Sequence, residues 1–192
     1  MLIEELQHGE DTYHVGIAVL QNEMRLGTTQ IVSIAKELAS DVLAIQFLNP
    51  VPIAGHIHLL SAVQNALNAW FGGYAISRSL DVEIVVYASA QRQISRALEW
   101  FGVRDDMKHV AVIVVGSADA VRNVLNRLRE TIGSELTDPF PLSEERYAQI
   151  ASVFDISPSE VETIASGTSL TERFEALARC VVSRVSMLAL DT

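Results

Sequence analysis

Four short runs rich in β-branched residues constrain the fold of this 192-residue chain more than any other feature. Helical hydrophobic periodicity lies between these runs, and strands that alternate with helices indicate one sheet covered by helices. The sequence therefore predicts an α+β fold with a single sheet of about four strands, in mixed or antiparallel order. The predicted strands are residues 13–20, 42–47, 82–87 and 109–115, and the predicted helices are residues 28–39, 57–71, 90–101 and 118–132.

The last quarter of the chain follows a proline-rich break, Asp138-Pro139-Phe140-Pro141, and has no strand pattern. It predicts three helices over residues 143–154, 157–166 and 170–190. Ser143 and Ser157 have the pattern of N-caps, and Pro158 suits the first helical position. We expect a single domain over residues 1–192. Its core is residues 1–137, and a helical part, residues 138–192, packs on that core and carries the partner surface.

Composition limits the class of protein. Nearly half of the residues are apolar, which indicates a folded globular chain. One cysteine, Cys180, excludes an intrachain disulfide and favours a reducing compartment, where we expect it to act as a small buried hydrophobe. Polar residues interrupt the uncharged stretch 42–77, which is therefore unsuited to span a membrane. The chain does not begin like a signal peptide, so we expect a cytoplasmic protein.

The net charge of −10 argues against broad affinity for nucleic acid. The charge is unevenly distributed, however, because residues 78–129 carry eight basic and six acidic side chains. An acidic protein with a more basic middle could hold RNA locally. The alternative is that these arginines are scattered over solvated helix surfaces.

Residues 82–94 read as a strand that runs into the N-terminus of a helix. Arg92 and Arg96 lie beside that terminus, where free backbone N–H groups and the helix dipole favour an anion. This pattern predicts an anion site. The alternative is an ordinary strand–helix junction with solvated arginines.

The final helix is apolar around about two-thirds of its circumference, more than one packing surface needs. Arg184 falls inside this apolar arc, where it could anchor an interface. Two interpretations remain open: the helix is buried between layers of its own fold, or it binds a partner. The central apolar stripe consists of Leu170, Phe174, Leu177, Val181, Val185 and Leu188.

Catalytic motifs are absent from the sequence. It has no phosphate-binding loop, dinucleotide fingerprint, nucleophile elbow or zinc-protease motif. His56 and His58 are two residues apart and would point in different directions on a helix, so they cannot share a metal. We therefore expect no enzyme activity, no cofactor and no metal site.

Three segments resemble one small family. Residues 51–59, Val-Pro-Ile-Ala-Gly-His-Ile-His-Leu, are similar to the family's Val-Ala-Gly-Arg-Glu-His-Leu segment, which leads into a helix. Residues 76–94, with Tyr-Ala-Ser-Ala-Gln-Arg-Gln-Ile at the end, resemble its Tyr-Ala-Ser-Gly-Glu-Arg-Gln-Ile hallmark. Residues 183–190 resemble its C-terminus. The family is the PRPK-binding protein (TPRKB) family, the small accessory subunit of the KEOPS complex, here of archaeal type. This chain departs from the family's motifs at three positions, where His56, Ala90 and Gln91 replace Arg, Gly and Glu.

The resemblance, which runs from about residue 42 to the C-terminus, implies a non-catalytic role. KEOPS makes the threonylcarbamoyl modification on the adenosine beside the anticodon of certain tRNAs. Its small subunit binds and stimulates the kinase-like ATPase subunit and, in archaeal members, helps to recruit tRNA through the 3′ CCA end. Without its partner, the exposed apolar helix could pair with a second copy. The alternatives are a protein-binding module without RNA contact and a small-molecule enzyme with a spatially assembled site.

The resemblance, together with these patterns, assigns two sets of site residues. The expected contacts to the kinase-like subunit are Val181, Val182, Arg184, Val185 and Leu188. The expected tRNA contacts are His58, Arg78, Tyr87, Ser89, Arg92, Gln93 and Arg96, with Trp70 as a further stacking surface.

Overall fold

Four antiparallel strands form one open sheet in the computed structural model, which describes residues 1–191. The strands are β1 (Leu2–His8), β2 (Asp11–Gln21), β3 (Ala44–Leu48) and β4 (His109–Gly116). Their order across the sheet is β1-β2-β4-β3, with Ile17 opposite Ile113 and Phe47 opposite Val112. The predicted α+β class with a single antiparallel sheet is confirmed.

Eight α-helices account for most of the remaining structure of residues 1–191. They are α1 (Thr28–Leu38), α2 (His56–Gly72), α3 (Leu80–Ser89), α4 (Ile94–Phe101), α5 (Ala118–Thr131), α6 (Glu144–Val153), α7 (Pro158–Ile164) and α8 (Leu170–Met187). Short 3₁₀ turns follow α1 (Ala39–Asp41) and α8 (Leu188–Asp191).

Both faces of the sheet are covered, which explains why β2 and β4 read as nearly continuous apolar runs. Alternate side chains point to opposite faces. Val15 and Ile17 face a core built with α2, α3, α4 and the C-terminal helices. Ala18 and Leu20 face a second core built with α1 and α5. The sheet is therefore the middle layer of the molecule.

The prediction of a strand at residues 82–87 is wrong, because these residues lie inside α3. Glu83 to Ser89 are all buried. A helix that is buried on every side has no polar face, so its sequence lacks the 3.6-residue hydrophobic periodicity that distinguishes a helix from a strand. The β-branched residues of this segment then favour a strand. Ala90 ends the helix in the left-handed conformation, with φ +51°. The next helix begins at Ile94 rather than at the predicted residue 90.

One strand of the observed sheet, β1, was not predicted from the sequence. Its segment, Leu-Ile-Glu-Glu-Leu-Gln-His, carries two adjacent glutamates and only partial alternation. It pairs with β2 along its whole length, from Leu2 opposite Ile17 to His8 opposite Asp11. The strand is at the sheet edge, and three of its seven residues are exposed, so it does not need an apolar run.

The predicted C-terminal helices are confirmed, and so are their caps. The Ser143 and Ser157 side chains accept hydrogen bonds from the backbone N–H groups of Arg146 and Glu160. Pro158 occupies the first turn of α7. The long helix α8 packs against α2 on one side and α7 on another.

Candidate functional site

A groove of about 650 Å³ runs along the outer edge of β3. Helix α1 forms one wall, and the start of α3 together with the end of α4 forms the other. Apolar side chains that are about 40% exposed line it, among them Val32, Leu43 and Leu98. The half-buried Trp70, from α2, also lines the groove.

Two cationic side chains border this groove, Lys36 of α1 and Arg78 of the segment before α3. Both are exposed. Neither has an ion-pair partner among residues 1–191. Asp81 is the one carboxylate among the lining residues. The groove therefore combines apolar walls, an aromatic surface and unpaired positive charge.

A buried carboxylate fixes the segment that presents Arg78. Glu83 accepts hydrogen bonds from the backbone N–H groups of Ile76 (3.0 Å) and Ser77 (2.7 Å). The Ser77 hydroxyl donates to the carbonyl of Ser79 at 2.7 Å. Sequence reasoning did not assign this role to Glu83. The sequence does contain a signal for this role, because Glu83 is a single charge inside an apolar run. A buried charge requires hydrogen-bond or ion-pair partners.

The other predicted arginines lie at the far end of α3. Arg92 and Gln93 are exposed in the turn between α3 and α4. Since α3 has ten residues, Arg78 and Arg92 are separated by roughly 15 Å along the helix. Arg96 lies over the Trp100 ring, 4.6 Å from its centroid. The predicted RNA residues therefore form two groups rather than one.

Three predicted RNA contacts are buried side chains. Tyr87 and Ser89 are each 1% exposed, and His58 is fully buried. Burial raises the pKa of Tyr87 to about 12, and the Ser89 hydroxyl donates to the Val86 carbonyl. As the structure places them, these side chains lie in the core and are closed to direct RNA contact.

His58 joins three parts of the fold. Its Nδ1 accepts a hydrogen bond from the Ala54 backbone N–H at 3.1 Å, so its Nε2 carries the proton and donates to the Ala88 carbonyl at 2.8 Å. The ring packs edge-on against Phe101 and Phe154. Burial lowers the pKa of His58 to about 4, so the ring is neutral at physiological pH.

Most of the apolar arc of α8 is covered by its own fold. Three predicted kinase contacts, Val181, Val185 and Leu188, lie in the core and leave no more than 5% of their surface exposed. Val182 and Arg184 are half-buried. Arg184 pairs with Glu160 of α7 at 2.8 Å, which explains a charge inside the arc. The exposed apolar residues at this end of the chain are Met187 (54%) and Leu190 (81%).

Among residues 1–191, no group of three or more His, Cys, Asp or Glu side chains could hold a metal ion. The one cysteine, Cys180, is buried, as expected. None of the helices within residues 1–191 combines the length and the hydropathy that a membrane crossing requires.

A family model described as "Kinase binding protein CGI-121" matches residues 27–189. The chain belongs to this family. The match includes all eight helices together with β3 and β4, and it begins after β2. The CGI-121 family is the PRPK-binding family that the motifs at residues 51–59, 76–94 and 183–190 indicate. No curated protein matches the sequence.

Proposed function

We propose that this chain is a non-catalytic, cytoplasmic accessory subunit of the KEOPS complex, which makes threonylcarbamoyladenosine in tRNA. In this role it binds and stimulates the kinase-like ATPase subunit and recruits tRNA through the 3′ CCA end. Family membership carries the proposal, since the family is described as kinase-binding. The lack of a metal cluster among residues 1–191 is compatible with a binding role.

The proposed kinase contact is the exposed end of α8. Met187 and Leu190 are large apolar residues that face solvent, and Val182, one and a half turns earlier on the helix, is half-buried. Exposed apolar residues in a cluster mark interaction surfaces. The same residues would support weak self-association in the absence of the partner.

Size-exclusion chromatography with light scattering, followed by calorimetric titration of the kinase-like subunit, tests this contact. We expect a one-to-one complex that Leu190→Glu weakens at least tenfold, because the interface would bury an unpaired charge. Met24→Glu is the matched control, since Met24 is an exposed methionine in the turn after β2. A folded Leu190→Glu variant with wild-type affinity would contradict the assignment.

The groove along β3 is the proposed site for the single-stranded end of tRNA. Sites for single strands combine aromatic surfaces, on which bases stack, with cations that contact phosphates. Trp70 supplies the aromatic ring, while Lys36 and Arg78 supply unpaired charge. Arg92, Gln93 and Arg96 form a second exposed group, at the α3–α4 turn, which suits the adjoining tRNA backbone.

Binding of intact tRNA and of tRNA without its 3′ tail distinguishes these assignments. We expect intact tRNA to bind more tightly, and Arg78→Glu to abolish that difference while reducing the salt dependence of binding. Arg92→Glu should weaken both RNAs alike. Arg122→Glu, on α5, is the control. Equal, weak binding of both RNAs to the wild-type protein would favour a protein-binding module without RNA contact.

A further inference from the structure

A second pocket, of about 430 Å³, opens between the start of α2, α6 and α8. We call it the anchor pocket. Its walls are largely apolar and include Ile57, Phe140, Leu142 and Phe174. Ile57 and Leu142 are each about half exposed. Large apolar side chains left open to solvent around a concave site indicate a place where another molecule binds.

Two arginines line the anchor pocket, Arg146 from α6 and Arg179 from α8. Arg146 is half-buried, donates one hydrogen bond to the Ile53 carbonyl and lies 5.5 Å from the centroid of the Phe140 ring. Burial lowers the pKa of Arg146. A guanidinium group has five N–H donors, so Arg146 has further donors beyond the one that bonds to the Ile53 carbonyl.

Neither cation has a direct ion pair within the described part of the chain, although the charge of Asp138 partly offsets the lowering of the Arg146 pKa. Asp138 and Glu175 line the pocket, but among residues 1–191 neither is within ion-pair distance of Arg146 or Arg179. Unpaired arginines beside an apolar cavity stand out in a protein with a net charge of −10. The complementary ligand is apolar and carries a carboxylate.

The pocket and the exposed end of α8 lie along the same helix. Ala178 lines the pocket, and Val182, Ser186 and Ala189 follow it on the same side of the helix at spacings of three and four residues. Leu190 is twelve residues beyond Ala178, roughly 18 Å along the helix axis. One partner can therefore contact both the pocket and the helix end.

We propose that the anchor pocket receives an apolar side chain of the kinase-like subunit, and that a carboxylate beside that side chain pairs with Arg146 or Arg179. This inference rests on the proposed kinase binding and extends it to a second, separate contact. The anchor fills the cavity between Ile57 and Phe174, while the charge pair fixes its orientation.

Calorimetric titration of the kinase-like subunit at two salt concentrations tests the proposal. Arg179→Glu and Ile57→Glu should each weaken binding at least tenfold, and Arg179→Glu should also reduce the salt dependence. Arg179 and Ile57 are exposed, so both variants should fold, and their thermal unfolding is measured alongside. Arg122→Glu, on the opposite face of the sheet, is the matched control.

The outcomes separate this proposal from the one on which it rests. If the wild-type protein does not bind the kinase-like subunit, the proposed function fails. If the wild-type protein binds, Leu190→Glu weakens binding, and folded Arg179→Glu and Ile57→Glu variants bind normally, the partner contacts α8 alone and the anchor pocket assignment is overturned.

Discussion

At the scale of single residues, buried polar side chains hold the candidate site in shape. Glu83 fixes the segment before α3, and His58 connects residue 54, helix α2 and the end of α3. Both occur in the segments that carry the family resemblance. A motif residue can thus be required for the geometry of a site without contacting the ligand.

The neutral state of His58 makes stability depend on pH. Its folded pKa, about 4, is below the ordinary value of 6.5, so protonation favours the unfolded chain. Its contribution is fully present above pH 6.5 and is lost as the pH falls toward 4. Between pH 6.5 and 5 we expect a loss of about 1.5 kcal/mol in the free energy of unfolding, measured by urea titration.

The His58→Gln variant is the control for this prediction, because glutamine does not titrate in that range. Its stability should change less than that of the wild-type protein between pH 6.5 and 5. Parallel pH profiles for the two proteins would show that other groups cause the loss.

At the scale of elements, the sequence predicted the strands that are β-branched apolar runs and the helices that begin with a cap. Strands β2, β3 and β4 and the serine-capped helices α6 and α7 were found. Helix α3 was not, because its surroundings are apolar on every side and only tertiary packing decides between helix and strand.

The same limit applies to the site. The sequence identified Arg78, Arg92 and Arg96 as surface cations, and the structure leaves Arg78 and Arg92 exposed. It could not foresee the groove itself, since Lys36, Trp70 and Arg78 come together only through the arrangement of α1, α2 and α3 around the edge of β3. It also could not show which side of α8 the rest of the fold covers.

The turn between α3 and α4 contains a correctable strain. Ala90 has φ +51°, a conformation that costs a residue with a Cβ about 1–2 kcal/mol more than glycine. We expect Ala90→Gly to raise the free energy of unfolding by up to about 1 kcal/mol, after the greater entropy of glycine in the unfolded chain is subtracted. Chemical denaturation measures the change.

Ala148→Gly is the matched control, because Ala148 is exposed within α6, where the backbone is helical. It should lower stability by about 1 kcal/mol, since glycine is a poor helix former. If the two substitutions change stability in the same direction, backbone strain at Ala90 is not the cause.

At the scale of the whole molecule, the two proposed binding regions lie toward opposite ends of α2. Ile57 belongs to the anchor pocket and Trp70 to the groove along β3, and thirteen helical residues separate them by roughly 20 Å. Because α2 is packed into the core along most of its length, it keeps the two regions apart.

This separation predicts that the kinase-like subunit and tRNA bind together. We expect a ternary complex by light scattering, and a tRNA affinity that changes less than threefold when the kinase-like subunit is saturating. Competition between the two ligands would show that the assigned regions overlap. Leu190→Glu serves as the control, because it should remove the kinase-like subunit from the complex and leave the tRNA bound.

The order of strands in the sheet also determines at what point in synthesis the sheet can be completed. β4 lies between β2 and β3, yet it is the last strand to be synthesised, about sixty residues after β3. Until His109–Gly116 leave the ribosome, β2 can pair with β1 alone and β3 has no neighbouring strand. The nascent chain therefore holds two apolar strands incompletely paired while residues 49–116 are synthesised, and pairing them with β4 then requires the closure of long loops.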